Sequence, residues 1–131
     1  MTSPGWSAAV ACAVLLILVD AAVWMFVSQA VHGAGRSRSA GIRLPSLMTS
    51  DQAWRAGHVA ARSAMAPFLG AAVVIAAISV PLQPAPLLYV VSLGLSLAST
   101  VLALGVGSAR ASRAAQREAR QPAIEVPEQG R

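Results

Sequence analysis

Three long apolar runs, separated by polar segments, dominate the pattern along this chain of 131 residues. The runs cover residues 6–28, 63–80 and 87–107. A helix rises about 1.5 Å per residue and the hydrocarbon core of a bilayer is about 30 Å thick, so roughly 20 apolar residues can cross it. The pattern therefore predicts an all-α integral membrane protein with three transmembrane helices.

The segment between the first and second runs predicts a loop that leads into a short helix. We expect a cytoplasmic loop and helix over residues 32–62, because glycines, serines and Pro45 break the first part. A Thr or Ser cap can start the helix, and Gln52 lies three residues after Thr49, as in a capping box. The polar face of residues 51–62 favours a short interfacial helix before the second span, which Pro67 either starts or kinks.

The remaining polar segments predict a hairpin and a tail. The proline-rich stretch 81–86 carries no charge and is expected to turn the chain between the second and third spans. We assign residues 1–109 to one three-helix transmembrane domain and residues 110–131 to a basic cytoplasmic tail that is partly disordered. Four lipid-anchoring arginines are spaced to form one helical stripe: Arg110, Arg113, Arg117 and Arg120.

The composition supports a membrane location. Hydrophobic residues make up 56% of the chain and charged residues 11%, whereas soluble domains carry about 25% charged residues. The net charge is +5, and the ten basic residues are all arginines that flank the spans, which is typical of lipid contact rather than direct nucleic-acid binding. Because positive residues favour the cytoplasm, we expect a multi-pass protein of the cell membrane with its N-terminus outside and its C-terminus inside.

Asp20 is the one ionisable residue near the middle of a span. A carboxylate there costs several kcal/mol unless it is neutralised, hydrated or paired. It fits either a proton or ion site, or a protonated side chain that bonds to a neighbouring helix. The third span offers a row of hydroxyls for that bond, spaced every four residues: Ser92, Ser96 and Thr100. We expect this row, with Gly94, to be a close-packing face, and Gly70 to be a helix contact.

The polar island over residues 41–62 holds the best candidates for a specific function. Its proposed partner-binding residues are Gly41, Arg43, Pro45, Trp54, Arg55 and His58. We expect His58 either to bond the helix to the loop or to rest beside Trp54 at the headgroup boundary. His58 and His32 lack the partners of a metal site, and no catalytic motif is present, so we predict no metal, no cofactor and no enzyme activity.

This island resembles the SdpI family of bacterial membrane proteins. The resemblance rests on Gly41-Ile42-Arg43-Leu44-Pro45, on Ser50-Asp51 at the helix start, and on Trp54-Arg55 and His58. Leu44 replaces the family's usual Thr, and Ser50-Asp51 replaces an Asn-Glu type pair. With the order of the spans, the likeness extends over residues 6–107 and covers the three-span carboxyl portion of six-span members.

The resemblance implies a toxin-immunity or signalling protein whose partner is a secreted toxic peptide or a small transcriptional repressor. Two other classes fit the residues. One is a small transporter or ion-pathway subunit centred on Asp20, and the other is a structural accessory subunit. Three helices that bury a carboxyl and a hydroxyl row also favour a homo-oligomer or a hetero-complex.

Overall fold

The computed structural model describes residues 5–33 and 41–120, and these form three helices and no strand. Helix α1 spans Trp6–His32, α2 spans Asp51–Ser79 and α3 spans Pro86–Arg120. Each helix is long and apolar enough to cross a membrane. The expected all-α, three-span fold is therefore confirmed.

Helix α2 is the centre of the bundle. It packs along most of α3 and against α1, whereas α1 and α3 scarcely touch. Because α2 and α3 are joined by a short turn, they run antiparallel, and the start of α2 lies beside the end of α3. Two contacts mark that shared end: the hydroxyls of Ser46 and Ser112 are 3.2 Å apart, and Gly57 lies against the carbonyl of Ala111.

The interfacial helix and the second span form one continuous helix, although we expected two segments, with Pro67 either starting the second span or kinking it away. Pro67 lies inside α2 and does not end it. Buried residues recur every three or four positions through both parts, including Gly57, Ala61, Met65 and Leu69. Contacts with α3 lie on both sides of Pro67, at Met65 with Gly107 and at Ala72 with Ser96, and this packing holds the helix together across the missing proline N–H.

Helix α2 begins one residue later than the capping-box pattern predicts. Ser50 is the N-cap, and its hydroxyl accepts a hydrogen bond of 3.0 Å from the amide of Ala53. Thr49 instead donates to the carbonyl of Ser46 within the preceding turn. Gln52 therefore lies outside the reciprocal position of a capping box.

Helix α3 continues well past the third apolar run and carries the arginine stripe. The helix has 35 residues and ends at Arg120, with all four stripe arginines exposed. Its start follows the expected proline-rich turn, where the amides of Leu82, Gln83 and Ala85 each donate to a carbonyl three residues earlier. The predicted disorder from residue 122 onward lies outside the described residues.

The close helix contacts occur at glycines that the sequence pattern did not single out. A Cβ on Gly57 would lie 3.0 Å from Leu47 Cγ, and one on Gly107 would lie 2.5 Å from the Met65 side chain. A Cβ on Gly94 or on Gly70 would meet nothing within 4 Å, so the predictions that these two residues are packing contacts are wrong. The two tight glycine contacts therefore lie towards the arginine-rich end of α2 and α3.

The main cluster of buried apolar side chains lies at that same end. It unites side chains from all three helices and the loop, among them Val27, Ala30, Leu47, Trp54, Ala61, Met65 and Ala111. The outer faces of the helices expose large apolar side chains, including Leu15, Leu18, Val101 and Leu102. Helices that are surrounded by lipid are expected to have an apolar exterior and to pack closely where small or polar residues allow it.

Candidate functional site

The first part of the polar island folds back onto the start of α2. Gly41, Ile42, Trp54 and His58 come together there, and we call these four residues the loop clamp. Trp54 and His58 are fully buried, and their ring centroids lie 4.2 Å apart with the planes inclined by 40°. We expected Trp54 at the headgroup boundary, but the structure places its ring inside the protein core.

His58 joins the helix to the loop through both ring nitrogens. The amide of Ile42 donates to Nε2 over 2.8 Å, so Nε2 must be the unprotonated nitrogen. Nδ1 then carries the proton and donates to the carbonyl of Trp54, also over 2.8 Å. The predicted bond between His58 and the loop is thus confirmed, and it requires a neutral imidazole.

Gly41 is the residue that lets the loop approach so closely. Its φ of +100° lies in a region that L side chains rarely adopt. A Cβ there would also lie 2.6 Å from His58 Nε2 and 2.8 Å from Trp54 Cζ2. Both the backbone conformation and the lack of space therefore demand glycine at this position.

Burial lowers the pKa of His58 below its usual value of 6.5, and the bond to the Trp54 carbonyl partly opposes this shift. His58 lies one turn before Arg62, in the part of α2 that precedes the predicted span of residues 63–80. Protonation would put a hydrogen on Nε2, facing the amide of Ile42. The loop clamp is therefore compatible with the neutral ring only.

The six partner-binding candidates divide into two groups. Gly41, Trp54 and His58 belong to the loop clamp, where they make the packing contacts of the core. The other three are exposed: Arg43, Pro45 and Arg55. Only this exposed group can touch a partner directly, and the loop clamp sets the position of the backbone that carries Arg43.

Sequence reasoning missed three contacts that complete this end of the molecule. Leu47 is fully buried against Gly57, although it lies in a loop. Its large aliphatic side chain, in a segment expected to be a loop, is the one signal that could have indicated burial. The Ser46–Ser112 contact and the position of the Arg62 guanidinium, 4.9 Å from the centre of the Trp24 ring, depend on tertiary packing.

Asp20 bonds to α3, as one of its two interpretations predicts. Its Oδ1 accepts a hydrogen bond of 2.7 Å from the hydroxyl of Thr100, and Asp20 is only 2% exposed. Ser96 donates to the carbonyl of Ala72 on α2, so two members of the hydroxyl row link helices. Ser92 donates to Tyr89 within its own helix and makes no such link. The second Asp20 oxygen, Oδ2, has no hydrogen-bond partner among the described residues.

The described residues contain no group of three or more His, Cys, Asp or Glu side chains that could hold a metal ion. Comparison with known proteins adds no assignment: the chain matches no family model, no curated protein and no solved structure. Three features of the structure therefore bear on function: the geometry of the loop clamp, the exposed arginines beside it and the Asp20–Thr100 bond.

The His58 bond predicts a stability that depends on pH. The folded-state pKa lies below the unfolded value of about 6.5, so the contribution is complete above about 6.5 and declines as the pH falls through that value. We expect the melting temperature of the purified protein to fall between about pH 7.5 and about pH 5.5. His58→Gln, which keeps an acceptor for the Ile42 amide, should flatten this dependence.

His32 provides the matched control, because it is exposed and its Nδ1 contacts the carbonyl of Ser28 in its own helix. His32→Gln should leave the pH dependence of the wild-type protein unchanged. A slope that survives in His58→Gln and disappears in His32→Gln would contradict the assignment.

The Asp20–Thr100 bond predicts coupling between the two residues. Asp20→Asn keeps a carbonyl oxygen for Thr100 and should leave the melting temperature nearly unchanged, whereas Asp20→Leu should cost about 0.6–1.7 kcal/mol. In a double-mutant cycle with Thr100→Val, the two losses should not add. Additive losses would contradict the bond, and a proton flux in proteoliposomes that Asp20→Asn abolishes would instead favour an ion pathway.

Proposed function

We propose that this chain is an SdpI-like, non-enzymatic membrane protein that acts in toxin immunity or membrane signalling by binding a partner at its arginine-rich end. The resemblance of residues 41–58 to that family supports the proposal. The structure adds a physical reason for the resemblance to centre on these positions, because Gly41, Trp54 and His58 form one buried contact.

The observation that carries the proposal is the bond from the Ile42 amide to His58. It holds the backbone immediately before Arg43, and the Arg43 side chain itself is exposed. A loop that is already ordered loses less conformational entropy on binding, so a contact through Arg43 gains affinity from the loop clamp. A guanidinium offers five donors in a planar fork, which suits a partner that presents carboxylates or other acceptors.

We also propose that the N-terminus is outside and that the loop clamp lies on the cytoplasmic side. All described arginines lie at the end of the bundle that contains the start of α2 and the end of α3, and the turn at residues 80–85 has none. Positive residues near spans favour the cytoplasm. A partner that binds beside the loop clamp is then a cytoplasmic protein such as a small repressor, which favours a role in signalling. A role in immunity would require the secreted peptide to reach this protein through the membrane.

Thiol labelling tests this orientation. In a Cys12→Ala background, Pro84→Cys should react with an impermeant reagent in intact cells, and Gln116→Cys should react only after the cells are opened. Both positions are exposed in the structure, so reactivity depends on the side of the membrane. Labelling of the cysteine at 116 in intact cells would overturn the orientation.

Partner binding is tested by photocrosslinking from position 43 in living cells, with the same crosslinker at position 117 as the control. Position 117 is also an exposed arginine, but it belongs to α3 instead of the segment that carries Arg43. We expect a partner that is captured from position 43 and not from position 117. This partner should bind the Arg43→Ala variant at least about tenfold more weakly than the wild type, which is roughly 1.4 kcal/mol.

Arg117→Ala should leave that affinity unchanged. His58→Ala and Gly41→Ala should lower the melting temperature as well as the affinity, because both disrupt the loop clamp. An Arg43→Ala variant that binds its partner and protects or signals as well as the wild type would contradict the proposal.

A further inference from the structure

A groove between α1 and α2 opens on the membrane-facing side of the bundle. Its deeper part has a volume of about 440 Å³ and is lined by residues that include Ile17, Asp20, Trp24, Ala66, Gly70 and Val73. A second cavity of about 290 Å³ shares Trp24 and Ala66 with the first and adds Arg62 and Ser63. The two cavities adjoin, because Trp24 of α1 and Ala66 of α2 line both, and we call them together the leaflet groove.

The length of the leaflet groove matches one half of a bilayer. Arg62 and Val73 are eleven residues apart in α2, which corresponds to roughly 16 Å along the helix axis. Half of the hydrocarbon core is about 15 Å thick. The groove therefore extends from the arginine-rich end of the bundle to about the bilayer centre, where Asp20 lies.

The two ends of the leaflet groove differ in polarity. The Arg62 guanidinium lies over the Trp24 ring, 4.9 Å from its centre, at the arginine-rich end of the groove. The wall below it is apolar as far as Asp20, whose carboxyl group lines the far end, and α2 contributes Ala66, Leu69, Gly70 and Val73 to it. Gly70 leaves open space, since a Cβ there would meet nothing within 4 Å. A cation at the headgroup level above an apolar path of one leaflet is complementary to an anionic amphiphile.

We propose that the leaflet groove binds one anionic phospholipid, with its phosphate on Arg62 and one acyl chain extending past Trp24 and Gly70 towards Asp20. A guanidinium can donate two parallel hydrogen bonds to a phosphate while its face stays on the indole ring. A helix over the same length occupies roughly 1,200 Å³, given its diameter of about 10 Å, so the groove is too small to enclose one. The proposal is independent of partner binding at the loop clamp.

Tryptophan quenching by brominated lipid tests the proposal on the full chain. The protein carries Trp6→Phe, so that Trp24 is the lipid-accessible reporter, and is reconstituted in phosphatidylcholine vesicles. Equal small fractions of phosphatidylglycerol or phosphatidylcholine with brominated acyl chains are then compared. We expect the brominated phosphatidylglycerol to be enriched at the protein about fivefold over the brominated phosphatidylcholine.

Two pairs of variants locate the enrichment. Arg62→Gln should abolish it, whereas Arg117→Gln, which removes the same charge from an exposed arginine on α3, should retain it. Gly70→Leu should also abolish it by filling the groove, whereas Gly94→Leu, at a glycine with equally open surroundings, should not. If Arg62→Gln fails to fold, Gly70→Leu decides, because its side chain enters open space.

Several results would overturn the proposal. Equal quenching by the two brominated lipids would mean that the groove holds ordinary bulk lipid. Loss of enrichment in Arg62→Gln without loss in Gly70→Leu would mean a surface contact without an acyl-chain site. Efficient disulfide formation between copies of a Gly70→Cys variant would mean that a second copy of this chain occupies the groove.

Discussion

The hydrogen bond between the Ile42 amide and His58 depends on three conditions, and much of the arginine-rich end depends on it. Gly41 must adopt a positive φ, Trp54 must be buried beside the imidazole, and the imidazole must be neutral. Close packing underlies these conditions. The Gly41 backbone fits between His58, Trp54 and Ala30 because it carries no side chain. The bond thereby connects the end of α1, the loop and the start of α2, and it does so through a single side chain.

The sequence predicted the number of helices, their approximate positions and the all-α class, because apolar runs of this length have few other structural solutions. It also predicted two specific bonds. The hydroxyl row in the third span supplied Thr100 for Asp20, since residues four apart share a helix face, and His58 was expected to reach the loop. These predictions succeeded because each depended on local periodicity or on the cost of burying a polar group.

Predictions that depended on tertiary packing failed. Pro67 suggested a possible start of the second span, but it lies inside a continuous α2, with buried residues on both sides of it. Gly70 and Gly94 suggested close helix contacts, yet the contacts are made at Gly57 and Gly107. A glycine in a span shows where two helices can approach closely. They do so only if the helix face that carries the glycine is turned towards the neighbouring helix. Likewise, Trp54 suits an interface by its chemistry but is enclosed because Gly41 offers no side chain to keep the loop away.

The separation of Asp20 from Thr100 along the chain has a consequence for how the protein is made. The two residues are 80 positions apart, so at about 5–20 residues per second the partner of Asp20 is synthesised roughly 4–16 seconds after it. During that interval α1 carries a carboxyl group at the depth of the bilayer centre without its hydroxyl donor. The carboxyl group of α1 thus gains its hydroxyl donor only once α3 has been made.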